Sequence, residues 1–218
     1  MSLKIVKITV GILSTNCYIV YDEKTSNAIV IDPGDVNDQL FDTINKLGLK
    51  LIYVLATHGH FDHVGGVKKI IEVYKARFCM NFHDINIMQQ SMNWLEYWGL
   101  KPELPPNPDV DLSKTNEIYL SNTKIQVIQT PGHTSGSVVF YIPEQKVVFT
   151  GDLLFSGSVG RTDLPGGSEI DLILSLRKLY ELVDIESLIY PGHGPETTMQ
   201  KEMIKNVFVR RALSLNQF

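Results

Sequence analysis

The chain has 218 residues, 44% apolar and 20% charged, with a formal net charge of −4. That is enough apolar material for a substantial core, and an acidic balance without any Lys/Arg-rich run argues against a nucleic-acid-binding surface. No apolar run approaches the roughly 20 residues that cross a bilayer, and MSLKIVKITV at the amino terminus lacks a signal-peptide core, so a cytoplasmic protein that avoids membranes is expected.

Residues 5–10, 17–21 and 28–31 are rich in Val, Ile and Tyr and separated by turn residues, which predicts a meander of three strands. Such a meander needs a second layer to cover it. Asp32-Pro33-Gly34 is a turn signal. Residues 39–47 place Leu40, Ile44 and Leu47 at helical spacing, with Gly48 as the C-cap. Residues 51–56 are a short buried strand that runs directly into Thr57-His58. Residues 64–74 read as a helix with Val67, Ile70, Ile71 and Tyr74 on one face. Cys17 and Cys79 lie in apolar surroundings without CxxC spacing, as buried free thiols do. Residues 84–97 are predicted helical, and residues 101–109, KPELPPNPD, hold too many prolines for anything but a loop.

Three later strands repeat one plan. Residues 125–128 run into Thr130-Pro131-Gly132-His133, residues 146–149 into Thr150-Gly151-Asp152, and residues 187–190 into Pro191-Gly192-His193-Gly194. Each strand ends in a glycine-containing loop that carries one His or Asp, and residues held at strand ends converge readily in space. Residues 201–218 read as an amphipathic helical tail on a single domain spanning 1–218. That tail suits either a sheet edge or a dimer contact, so monomer and homodimer both stand.

Five of the six histidines, His58, His60, His63, His133 and His193, sit at these loops, and only His83, read as structural, does not. In an extended loop, residues two apart project to one side, so His58 and His60 can grip one ion. Asp62 and His63 follow where the chain turns into helix and can face a second. Taken alone, Asp62 would be a helix N-cap, Asp152 a turn aspartate, and His133 and His193 would bond within their loops. Together they form a metal-ligand set. Imidazole and carboxylate suit zinc, and also manganese or iron. Seven candidates are too many for one tetrahedral site and about right for two divalent ions sharing a carboxylate. Ser135 and Ser137 lie near His133, but a serine triad is disfavoured once His133 holds a metal.

HGHFDH at 58–63, PGHT at 131–134, GD at 151–152 and PGHG at 191–194 resemble, in that order, the metallo-β-lactamase superfamily of hydrolases. IDPG at 31–34 is similar to the family's opening. The resemblance implies an α/β fold, a four-layer αββα sandwich with the metal site along one edge of its two sheets. It implies His58, His60 and His133 on one metal, Asp62, His63 and His193 on the other, Asp152 bridging them, and Asp32 as a buried partner behind the ligands. Asp62 and Asp152 become the catalytic carboxylates. Asp152 disfavours the lactamases with a cysteine ligand, and His60 disfavours the flavodiiron reductases.

Within the superfamily, GRTDLPGG at 160–167 resembles small bacterial glyoxalase II-like proteins and, in part, persulfide dioxygenases. The implied function is hydrolysis of a thioester by a hydroxide held between two ions. The alternatives are a mononuclear iron persulfide dioxygenase and a lactonase- or lactamase-like hydrolase. The implied partner is a small acyl or thioester substrate. Neither Asp163 nor Pro195 matches the tyrosines that help hold glutathione in glyoxalase II, and the helical domain that completes that site is largely missing, which leaves the thiol open. Arg161 either meets an anionic substrate group or pairs with Asp163. Trp94 and Trp98 either roof the metal cleft and shape an acyl pocket or pack into the core.

Overall fold

A computed structural model describes residues 3–101 and 103–214. The first sheet comprises β1 (Leu3–Val10), β2 (Thr15–Asp22), β3 (Asn27–Ile31), β4 (Lys50–Leu55), β5 (Arg77–Met80) and β6 (Val110–Asp111), in that order. β1, β2 and β3 pair antiparallel; β3 through β6 pair parallel. Parallel neighbours need crossovers, here supplied by α1 (Asp38–Lys46), by α2 (Phe61–Val64) with α3 (Val67–Tyr74), and by the segment containing α4 (Ile85–Met92).

The second sheet begins with β7 (Glu117–Leu120), β8 (Thr123–Gln129), β9 (Val138–Ile142) and β10 (Val147–Gly151). A ribbon of β11 (Leu154–Phe155) and β12 (Ser158–Val159) follows, then α5 (Glu169–Leu182), β13 (Leu188–Pro191) and β14 (Thr197–Thr198). Its order is β14-β13-β10-β9-β8-β7. The chain closes with α6 (Met199–Lys205) and α7 (Val207–Ser214).

Side-chain alternation explains how the layers stack. On β2, Cys17 and Ile19 face a core shared with Leu40 and Ile44 of α1 and Val67 and Ile70 of α3. Tyr18 and Val20, on the opposite face, join Ile29, Ile31, Leu55, Phe140 and Phe149 between the two sheets. A third core packs Val139, Tyr141, Val148 and Ile189 against Leu172, Leu176 and Leu179 of α5 and Val209 and Ala212 of α7. Helix, sheet, sheet, helix is the expected four-layer order. Tyr18 fastens the middle. Its hydroxyl donates to the Pro191 carbonyl at 2.7 Å and its ring lies edge-on to Phe149 at 5.2 Å.

Three predicted elements differ in the structure. The helix expected over 64–74 starts at Phe61 and breaks at Gly65-Gly66. There the Asp32-Pro33-Gly34 turn presses on the backbone: Gly66 N donates to Pro33 O at 2.7 Å, and a Cβ on Gly65 would meet Gly34 O at 2.4 Å. The 84–97 helix is α only over Ile85–Met92 and tightens to a 3-10 turn over Asn93–Trp98, ended by Gly99 at φ +70°. The carboxy-terminal helix is two helices because Asn206 is extended and its Oδ1 accepts from Phe208 N at 3.0 Å, capping the second. Residues 215–218 of that tail lie outside the described residues. Among the described residues, no helix is long and apolar enough to cross a membrane. Cys17 and Cys79 are free and buried, and burial pushes the Cys79 thiol up to about 12.

Candidate metal centre

The centre is built from strand ends backward. β3 is followed directly by Asp32, which is held in the left-handed region at φ +52° and is buried. Its carboxylate accepts from Thr57 N and Thr57 Oγ1, both at 2.7 Å, which pins the loop leaving β4. Thr57 Oγ1 spends its only hydrogen on Asp32, so at 3.1 Å from His58 Nδ1 it accepts the imidazole proton. That leaves His58 Nε2 as a bare lone pair. His133 is fixed in the same sense: Nδ1 donates to the Arg161 carbonyl at 2.7 Å, and Nε2 is left free.

These lone pairs converge. His58 Nε2 lies 3.1 Å from His60 Nδ1, which lies 2.9 Å from His133 Nε2. A tetrahedral cation with bonds near 2.0–2.1 Å would set its ligand atoms roughly 3.3 Å apart. Beside this set lies a second. His63 Nε2 and His193 Nε2 stand 3.5 and 3.2 Å from Asp62 Oδ2. Asp152 spans the two: Oδ1 is 3.3 Å from His63 Nε2, while Oδ2 is 3.5 Å from His133 Nε2. The structure therefore brings together all seven residues expected as ligands, and Asp32 reaches both sets, lying 3.0 Å from His63 Nδ1 as well.

Burial makes this constellation costly without a cation. It pushes His58 far down and His60 down to about 3, with neighbouring imidazoles adding to the effect, so both rings are neutral. Burial also opposes the charges of Asp62 and Asp152, but the surrounding histidines, His63 and His193 at both and His133 at Asp152, together outweigh it and hold both carboxyls below their usual range. For His63 itself, burial is outweighed by Asp62, Asp32 and Asp152, which raise it. Two ionised aspartates, Asp62 and Asp152, thus face a largely dry pocket. His63 Nε2 and Asp152 Oδ1, which both face the donor sets, are buried with no hydrogen-bond partner among the described residues. Unpaired buried groups of this kind are rare and ask for an occupant, and the N/O donor set fits divalent metal ions.

Several positioning residues were not singled out in the sequence. Asp84, fully buried, accepts from Gly59 N at 2.8 Å, Thr134 Oγ1 at 2.6 Å and Gly136 N at 2.6 Å, tying the His58-Gly59-His60 loop to the loop after His133. It stands before α4 without capping it. The available signal was its place just beyond a strand, where the other site residues also lie. Thr15 Oγ1 donates to Asp62 Oδ2 at 3.0 Å, and Asn16 Nδ2 donates to the carbonyls of Pro191 and Gly194 at 3.0 and 2.8 Å, shaping the loop that carries His193. Gly192 admits no side chain, since a Cβ would lie 2.4 Å from Asp152 Oδ1 and 2.8 Å from His63 Cε1.

Arg161 contributes its carbonyl to the centre, while its guanidinium forks onto Asp163 with two contacts of 2.7 Å at the surface. Trp94 leans over His60 with ring centroids 5.6 Å apart, and Trp98, half exposed, packs on Phe61 at 5.6 Å. His83 is exposed and joins neither set. Ser137 Oγ accepts from Thr134 N within its own loop, and Ser135 Oγ reaches His83 O in the turn before α4.

Residues 10–193 match the family model described as the metallo-beta-lactamase superfamily. The chain is 35% identical to hydroxyacylglutathione hydrolase GloC of Haemophilus influenzae, over 96% of this chain and 98% of that protein. Among solved structures it is similar to TTHA1623 in a di-iron-bound form (37% identity, TM-score 0.83, covering 93% of this chain and 99% of that one). It is also similar to the BLEG-1 B3 metallo-beta-lactamase (28% identity, TM-score 0.83, 94% and 99% covered). With this fold, this ordered set of histidines and aspartates and this span of similarity, the chain belongs to the metallo-β-lactamase superfamily.

Proposed function

We propose that this protein is a binuclear metal-dependent hydrolase acting on small thioesters. The observation that carries the reading is Asp152, which turns one carboxylate oxygen to each of two three-residue donor sets. His58, His60 and His133 would hold one ion, Asp62, His63 and His193 the other, with Asp152 shared. Zinc suits these donors best, and iron is the metal carried by the similar TTHA1623 structure. Bound there, such ions lower the pKa of a coordinated water toward about 7 and polarise an acyl carbonyl.

The chain's own residues supply the setting. Asp32 and Thr57 hold His58, and the Arg161 carbonyl holds His133, so the donor atoms need no reorganisation. Asp62 and Asp152 stay ionised and offset the charge of the cations. The centre opens on the side of His193, whose side chain is 27% exposed against 0% for His63, which sets the direction of substrate approach. A thiolate leaves without a proton donor, because a thiol ionises near about 8.5, and this favours a thioester over an amide. The similarity to a hydroxyacylglutathione hydrolase supports the same class.

The test is metal analysis of protein isolated without added metal, followed by a thioester panel with β-lactams and lactones as comparators. About two ions per chain and chelator-reversible thioester hydrolysis are expected. One iron per chain with persulfide-dependent oxygen uptake would overturn the reading in favour of an oxidoreductase.

A further inference from the structure

A cleft of about 280 Å³ lies beside the metal centre, with Asp62 among its walls. Ile12, Phe61, Met92, Leu95 and Leu100 provide its large apolar side chains. Ile12 sits in the β1–β2 turn, three residues before the Thr15 that hydrogen-bonds Asp62, and Phe61 immediately precedes Asp62, so the cleft and the centre share their framework. Trp94 and Trp98 both pack on Phe61 and support that wall.

Two features define what fits. Ile12 and Leu100 are 50% and 44% exposed, so large apolar side chains border a concave space in contact with water, a surface that gains from being covered. Along the cleft three acids, Asp35, Asp62 and Glu103, stand against two bases, Lys69 and Lys101. With acids in excess, such walls do not favour an anionic group. The volume lies at the lower edge of the roughly 300–1,000 Å³ that enclose a drug-sized ligand, a size that suits a short acyl chain.

Building on the thioesterase reading, we propose that this cleft is the acyl subsite and that it selects an unbranched alkyl acyl group over a hydroxyacyl one. Ile12, Leu95 and Leu100 act as specificity-determining residues, and the thiol portion lies outside the cleft.

The experiment uses the full chain as isolated with its metal and N-acetylcysteamine thioesters of acetyl, butanoyl, hexanoyl and D-lactoyl groups. Each methylene that enters the cleft should raise kcat/KM about fourfold, with butanoyl preferred over lactoyl. Leu100→Gln and Ile12→Asn, at exposed positions, should flatten that gradient without lowering Tm. A chain-length-independent kcat/KM, a lactoyl preference, or a gradient untouched by both variants would overturn the subsite. Calorimetric titration of hexanoate against acetate reads the cleft without turnover. Tighter hexanoate binding that Leu100→Gln abolishes supports the subsite even where no thioester is hydrolysed, and the failure then belongs to the hydrolase reading. Equal binding of the two acids overturns the subsite itself.

Discussion

Replacing Asp84 with alanine tests whether the centre depends on a carboxylate that is not itself a proposed ligand. The side chain accepts three hydrogen bonds, from Gly59 N, Thr134 Oγ1 and Gly136 N. Thr134 Oγ1 has a second partner in Ser137 Oγ at 2.7 Å and can turn to it. The two backbone N–H groups have no such alternative and are left buried. Each unsatisfied buried donor costs about 1–3 kcal/mol, so the pair costs about 2–6 kcal/mol. Part of this is returned, because burial pushes the Asp84 pKa up and so disfavours its charge, which places the expected loss at about 2–4 kcal/mol. Gly59 lies between His58 and His60, so the released loop should also bind metal 10–100-fold more weakly, the usual scale for such partners. Urea unfolding with metal quantitation reads both effects. Asp84→Asn keeps the volume but turns an amide donor toward a donor, and should fall between the two proteins. An Asp84→Ala protein with an unchanged urea midpoint and full metal content would refute the reasoning.

Four further outcomes follow from the same geometry. Asp152→Ala should abolish turnover and lower metal content, and normal turnover would remove its bridging role. Gly192→Ala, whose Cβ would stand 2.4 Å from Asp152 Oδ1, should lose metal while far-UV circular dichroism stays native. Arg161→Ala should leave metal content unchanged, because His133 is held by the residue 161 carbonyl; a raised KM would give the guanidinium a part in substrate binding. Neither Cys17 nor Cys79 should react with a thiol reagent at pH 8 in the folded protein, since burial raises both thiols and keeps the thiolate scarce, and both should react in denaturant.

The donor residues were legible because the chemistry is local: a strand ends, a glycine loop follows, and one His or Asp stands in it. Asp32 was legible as a partner for the same reason. Asp84 was not, because its partners Gly59 and Gly136 are 25 and 52 residues away and only the tertiary fold unites them. Among the elements, β9 (VVFYI) is buried at every position, and periodicity alone does not separate so short an apolar run from a buried helix segment. α5 was passed over because its apolar residues spread around the helix, with Ile170 and Leu174 exposed while Leu172 and Leu176 are buried. The break at Gly65-Gly66 depends on the approach of a turn some thirty residues earlier, which helical periodicity does not register.

Each donor set draws two residues from the segment that follows β4, His58 with His60 from its loop and Asp62 with His63 from α2, and one from the second sheet's loops, His133 or His193. Neither half of the molecule on its own carries a complete cage. In this arrangement a bound ion acts as a rivet between the two halves, and its binding energy becomes cohesion between them as well as a reactive centre.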